Sequence, residues 1–260
     1  MEYLIVCLAS LLASGLTLFS GFGLGTILTP VFAIFFPVPV AIAATAVVHL
    51  ANNIFKLFLV GQNSNKKILI RFGIPAVVAA FLGAFLLKYV SAFPVLWSYS
   101  IAEHRHEITL VKLIIGFVII LFSALELNPH FQKKSIDEKY MPIGGILSGF
   151  FGGLSGHQGA LRSMFLIRAG LSKEEFIGTN VALAIMVDMG RLIVYGMGFY
   201  SSKFLAMDDI KGLVLAATFF AFIGAYIGMK FFKKVTLTVI QNLVGIMLIF
   251  LGLGLSTGLL

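Results

Sequence analysis

Apolar residues run along this chain in long blocks, and polar residues are confined to the short stretches between them. The blocks fall at about 3–20, 24–36, 39–60, 68–90, 109–127, 142–154, 158–170, 175–199, 207–231 and 235–258. Crossing a hydrocarbon core of about 30 Å takes about 20 helical residues at 1.5 Å each. Six blocks meet that length: 39–60, 68–90, 109–127, 175–199, 207–231 and 235–258. The other four form two pairs, each joined by a glycine-rich break, Ser20-Gly-Phe-Gly-Leu-Gly25 and Ser155-Gly-His-Gln-Gly159. Each arm of the second pair offers about 20 Å of helix, too little to span. A re-entrant helical hairpin is predicted there, and either a hairpin or two tilted spans for the first pair. Irregular backbone at membrane depth must be buried in protein or line a wet cavity, so both breaks point to function.

The pattern repeats. Ser14-Gly15 and Ser20-Gly21 match Ser148-Gly149 and Ser155-Gly156, and Thr45 matches Thr179. Asn53, Lys56 and Gly61 match Asp188, Arg191 and Gly196 at one constant offset, and Phe81-Leu-Gly-Ala-Phe85 matches Phe222-Ile-Gly-Ala-Tyr226. Each half holds an odd number of full crossings between these anchors, which makes the repeats inverted. The expected fold is therefore an all-α integral membrane protein of two inverted repeats. Each repeat is a Gly-broken helix pair plus three transmembrane helices. Residues 1–127 form the first repeat, 128–140 a cytoplasmic connecting loop and 141–260 the second repeat, all within one transport domain. Inverted repeats with broken helices are the usual architecture of alternating-access carriers, whose substrate sits where the repeats meet.

Composition narrows the class. Of the 260 residues 59% are hydrophobic and 12% charged, with a mean hydropathy of +1.03. Almost nothing is left for a soluble enzyme head or receptor domain. A formal charge of +8 suggests nucleic acid in a soluble protein, but here the basic residues sit in short loops and set topology instead. Lys66, Lys67, Arg71, Lys133, Lys134, Lys139, Arg168, Lys173, Lys230, Lys233 and Lys234 gather on one side, against Lys88, Arg105, Lys112, Lys203 and Lys211 on the other. The positive-inside bias makes the first side cytoplasmic and puts both termini outside the cytoplasmic (inner) membrane. The start of the chain lacks a basic n-region and reads as a retained segment, not a cleaved signal. Cys7 is the single cysteine, so neither an intrachain disulfide nor a cysteine metal cluster can form. The longest outward loop, 91–108, carries Trp97, Tyr99 and Glu103-His-Arg-His-Glu107. Its two histidines have metal-binding chemistry, but a solvated loop is the reading preferred, and no metal or cofactor is expected.

Three basic residues fall inside apolar blocks: Lys56, Arg162 and Arg191. A cation at the bilayer centre costs about 2.5–3.5 kcal/mol or more, so it faces an internal cavity or snorkels to the headgroups. Both readings stand for Lys56 and Arg191. Arg162 follows the second break directly, in the first turn of a short helix, where its charge opposes the helix dipole. That placement suits a bound anion, held by the guanidinium, by His157 and Gln158, and by backbone amides around Gly21, Gly23, Gly25, Gly156 and Gly159. The plainer alternative is an ion pair with Asp188. Lys56 and Arg191 would attract or release the anion at the cavity mouths, oriented by Asn53 and Asp188. Asn180 joins the substrate-binding candidates, although it and Thr179 could equally cap their helix or bond across helices. Asp188 and His49 are proton-coupling candidates, and an intrahelical Asp188–Arg191 pair is the plain alternative for the former. Gly83 and Gly224 read as close-packing positions between helices. Glu126 sits at an interface with no argued role. There is no Walker A loop, HExxH, GxSxG or intramembrane carboxylate pair, so no enzyme is expected.

The stretch Gly-Phe-Gly-Leu-Gly-Thr-Ile-Leu-Thr-Pro30, its partner Gly-Phe-Phe-Gly-Gly-Leu-Ser-Gly-His-Gln-Gly159 and the following Gly178-Thr-Asn180 together resemble the TauE/SafE family of sulfite and sulfonate exporters. The resemblance covers the whole chain. It implies a permease for small sulfur-containing oxyanions or organosulfonates in a prokaryotic cytoplasmic membrane, export favoured. The chain departs from the commoner second motif: His157, Gln158 and Arg162 occupy that region, and Met164 stands where a proline is often found. A larger or doubly charged anion would suit these extra donors. The partners expected are a small anion and the bilayer, with a homodimer open and no nucleic acid. An anion channel, a lipid-phosphate flippase and a non-transport membrane scaffold are the rival classes.

Overall fold

The computed structural model describes residues 1–20, 24–60, 63–101, 103–128, 136–167, 169–197, 208–231 and 237–260. Gly21, Gly23, Gly61, Arg168 and Lys203 lie outside these residues, as do four lysines used to assign sides (Lys133, Lys134, Lys233 and Lys234), so those expectations go no further. The described chain is helical apart from one hairpin. Its helices are α1 (Glu2–Ser20), α2 (Leu24–Ala33), α3 (Val38–Val60), α4 (Lys66–Ser91), α5 (Leu110–Leu127), α6 (Met141–Ser155), α7 (Gly159–Leu166), α8 (Lys173–Gly196), α9 (Asp208–Phe231) and α10 (Leu237–Thr257).

Four stretches, in α3, α4, α8 and α9, are long and apolar enough to cross a membrane: Val38–Leu59, Lys66–Ser91, Lys173–Gly196 and Ile210–Lys230. Their outward stripes are apolar, as lipid requires. Ile70, Ile74, Val78, Leu82 and Phe85 are exposed along one side of α4, and Leu215 and Phe219 along α9. The arms beside the breaks are short. α2 has 10 residues, about 15 Å, and α7 has 8, about 12 Å, so neither reaches across the core. The second pair is also less even than its apolar blocks suggested, with 15 residues in α6 before the break. Every residue of α2 is buried.

Local sequence explains where these helices begin and end. Gly156 closes α6 at φ 84°, a left-handed geometry open to glycine, and its amide bonds back to Gly152. α8 opens on a capping box in which Ser172 and Glu175 each bond the other's backbone amide. In α4 a π turn at Leu69–Gly73 precedes Pro75, whose missing N–H leaves an α-helical ladder one bond short there.

The helices pair in a regular order: α1 on α9, α4 on α6, α5 on α10 and α3 on α8. Glycines set the closest crossings. A Cβ at Gly83 would collide with Phe150 O of α6, and one at Gly224 with Leu11 O of α1, so both positions hold two helix backbones together. Gly149 and Gly153 press on Ala76 and Ala80 of α4 in the same way.

One element departs from the expected solvated loop. Val95–Ile101 and His104–Thr109 pair as an antiparallel hairpin, turning through Glu103 at φ 67°. His106 stacks on Tyr99, and the Tyr99 hydroxyl donates to Thr257 O, which ties the hairpin to the end of α10. No metal-binding group of side chains occurs among the described residues.

Candidate functional site

Buried polar side chains of α3, α8 and the α6–α7 break meet where α3 crosses α8, and Asp188 is the hub. Its Oδ2 accepts from His49 Nδ1 at 2.6 Å, across the helix pair. Its Oδ1 accepts from Arg191 Nε at 3.0 Å and Nη2 at 2.7 Å, and from Gln158 Nε2 at 3.2 Å. Arg191 Nη1 donates to Gly152 O at 3.2 Å, in the last turn of α6, sharing that carbonyl with the Gly156 amide. The Tyr195 hydroxyl donates to the neighbouring Gly153 O. The α8 pair is thus the i,i+3 ion pair that the spacing allowed. Arg191 and Asp188 are both 0% exposed, so neither snorkels nor stands at an open mouth.

Arg162 sits one step away through Gln158. Its Nε donates to Asn180 Oδ1 at 2.6 Å and its Nη1 to Gln158 Oε1 at 3.0 Å. It makes no direct ion pair with Asp188; the Gln158 amide bridges the two. A guanidinium has five N–H donors in a planar fork; Asn180 takes the Nε hydrogen on one side and Gln158 an Nη1 hydrogen on the other. Nη2 has no protein acceptor among the described residues. Asn180 and Thr179 bond across elements and do not cap their helix, since Thr179 Oγ1 accepts from Asn65 N at 2.8 Å while Ser172 does the capping.

His157 lies in the break between α6 and α7, parallel to Phe122 of α5 at 6.1 Å between ring centroids. Its Nδ1 faces Ser155 O and Ser155 Oγ, both at 3.2 Å. Ser155 Oγ itself donates to Phe151 O, so both neighbours act as acceptors and the network assigns the proton to Nδ1. That leaves Nε2, buried and without a hydrogen-bond partner. Thr29 and Thr45 share this condition at Oγ1. A Cβ on Gly156 would meet Arg191 Nη1 at 3.1 Å and Thr29 Oγ1 at 3.5 Å; one on Gly25 would meet Gly156 O at 3.3 Å. The glycines of the two breaks therefore bring backbone, Thr29 and Arg191 within reach of one another. Ser123 Oγ of α5 is a fourth buried side-chain atom without a partner among the described residues, although buried polar atoms are nearly always bonded.

Lys56 lies elsewhere on α3, 4% exposed. With the Asn52 amide oriented to satisfy its surroundings, its nitrogen donates to Ala221 O at 3.2 Å and its oxygen accepts from Lys56 Nζ at 3.3 Å. Ser14 Oγ lies 3.0 Å from the same amide. Asn53 bonds back to His49 O at 2.9 Å and does not hold Lys56. Thr29, Phe122, Ser14 and Tyr195 were not singled out from sequence for these contacts. Only Ser14 carried a signal there, as part of the repeated Ser-Gly pairs.

Among the described residues the buried cations are Lys56, Arg162 and Arg191, against one buried carboxylate, Asp188. With neutral histidines the centre carries a formal charge of +2. Apolar stripes outside and this charged, glycine-broken centre inside define a multi-pass α-helical membrane transport protein. The family model for the sulfite exporter TauE/SafE matches residues 6–255, nearly the whole chain, and the chain belongs to that family. No curated protein matches it.

Proposed function

We propose that the protein is a secondary transporter of a small anion, a sulfur-containing oxyanion or organosulfonate, working in the export direction. One observation carries the reading: Arg162, buried beside the α6–α7 break, is held on two sides of its guanidinium by two neutral side chains and meets no carboxylate among the described residues. A buried guanidinium without a counter-charge is costly unless something supplies one, and a bidentate oxyanion fits the open part of its fork. Gln158 aims the guanidinium and links it to Asp188, Asn180 fixes its other edge, and His157 and Thr29 offer further polar atoms. Family membership supports sulfur oxyanions as the cargo.

The pairing of helices supports the inverted repeat. The first helix of each half packs on the fourth of the other, α1 on α9 and α6 on α4, and the third helices cross at His49–Asp188. In this proposal the two halves rock about that crossing, and the anion at Arg162 meets one side of the membrane at a time.

The test is sulfite efflux from proteoliposomes carrying the wild type or Arg162→Gln. Losing a buried charged hydrogen-bonded pair is worth about 2–5 kcal/mol, so the variant should fall about 30-fold or more. Transport at the wild-type rate by a folded Arg162→Gln protein would remove the assignment. Saturable flux at carrier rates is expected; single-channel currents would point to a pore instead.

A further inference from the structure

Lys56 is the buried cation that the anion site at Arg162 does not use. We propose that Lys56 forms a second anion-binding point at the same depth, so that the protein favours substrates carrying two negative charges over monoanions. This rests on the anion-transporter reading above and names the charge its substrate must bring.

Three observations lead there. First, Lys56 is 4% exposed, and the only buried carboxylate among the described residues, Asp188, is already taken by Arg191 and His49. Among the described residues the polar contact to its ammonium is the Asn52 amide oxygen, a neutral dipole. Second, the sequence repeat pairs Lys56 with Arg191 and Asn53 with Asp188. Where one half supplies a carboxylate to its cation, the other supplies an amide, and that amide bonds to the His49 carbonyl instead. The chain thus neutralises one member of the pair and leaves the other charged.

Third, depth can be read from two contacts. His49 touches Asp188, and Asn65, just beyond α3, touches Thr179 near the start of α8, so these helices run antiparallel. Lys56 lies seven residues beyond His49, two turns along the same face and about 10 Å away. Asn180, which holds Arg162, lies eight residues before Asp188, about 12 Å in the same direction. The two uncompensated cations therefore stand at one level, beside the His49–Asp188 crossing. A monoanion bound at Arg162 would leave the Lys56 ammonium unpaired; a dianion supplies both counter-charges. Ser14 and Ala221 fix the Asn52 amide, and Phe55 stacks on Phe222 at 4.7 Å next to Lys56 along α3.

The experiment is calorimetric titration of the purified full-length protein in detergent with methanesulfonate, sulfate and sulfoacetate. These are a monoanion, a compact dianion and a two-ended dianion. In the wild type at least one dianion should bind about tenfold tighter than methanesulfonate. In Lys56→Met that ratio should collapse to about one, and Lys56→Arg should restore it. The ratio separates a binding role from a structural one, because a structural defect lowers all affinities together. If sulfate gains and sulfoacetate does not, the two charges sit on one compact group; the reverse places them at opposite ends of the molecule. A wild type that shows no dianion preference, or a preference that survives Lys56→Met, overturns the proposal and leaves the transporter reading standing. Failure of every anion to bind the wild type overturns both.

Discussion

Asp188–Arg191 in the second half and Asn53–Lys56 in the first occupy matching places in the repeat, yet they solve the problem of a buried cation in opposite ways. Arg191 gives Nε and Nη2 to Asp188 and Nη1 to a helix-end carbonyl, and the carboxylate is further held by His49 and Gln158. The charge is compensated inside the protein, so this pair serves as a fixed structural clasp. Among the described residues Lys56 has an amide beside it and no carboxylate. The two halves share matching backbone crossings, Gly83 against Phe150 O and Gly224 against Leu11 O. The architecture is shared but the charge is not: Asp188 compensates Arg191, and no buried carboxylate among the described residues does the same for Lys56.

The sharpest way to break this comparison is to remove the clasp. Asp188→Asn leaves Arg191 buried without its counter-charge and weakens the bond to His49, and should cost about 3–5 kcal/mol of stability. The double variant Asp188→Asn, Arg191→Met should recover much of that loss in thermal melts. Additive losses would mean the pair does not act as a unit. Next come the crossings: Gly83→Val and Gly224→Val should each lose about 1–3 kcal/mol or more, by similar amounts, because each new side chain meets a carbonyl backbone. Unequal losses would show that the halves differ in packing as well as in charge. His49→Ala should cost about 1.5–3 kcal/mol through its bond to a charged acceptor. Smallest of all, Lys56→Met should be neutral or stabilising in the absence of anion, since an uncompensated ammonium gives way to an apolar chain of similar length. A loss as large as that of Asp188→Asn would mean Lys56 has a structural partner after all.

Much of this fold was legible in the sequence because lipid imposes a simple rule. Blocks such as 39–60 and 175–199 became α3 and α8 nearly as drawn, and the breaks at Ser155–Gly159 declared themselves through glycine. The Asp188–Arg191 pair was visible as an i,i+3 spacing. The bond between His49 and Asp188 was not, since no local period reports a contact 139 residues apart in sequence. Nor was the 95–109 hairpin foreseen. Its first strand is mostly exposed and its second largely half-buried, and their pairing depends on a turn through Glu103 and on anchoring to α10, not on a buried alternating face. The bridging role of Gln158 escaped for a similar reason: the residue was noted as a donor, but its place between Arg162 and Asp188 exists only once α7 has folded against α8.

The most direct test of the account is whether an anion binds at Arg162. Thermal stability of the purified protein should be followed across sulfite, sulfate, thiosulfate, taurine, simple carboxylates and phosphate, in the wild type and in Arg162→Gln. A ligand that binds only the folded state stabilises it by about 2.7 kcal/mol at a hundredfold excess over Kd. The account predicts a shift for sulfur oxyanions that disappears in Arg162→Gln. No shift for any anion, or a shift that Arg162→Gln leaves intact, would contradict it.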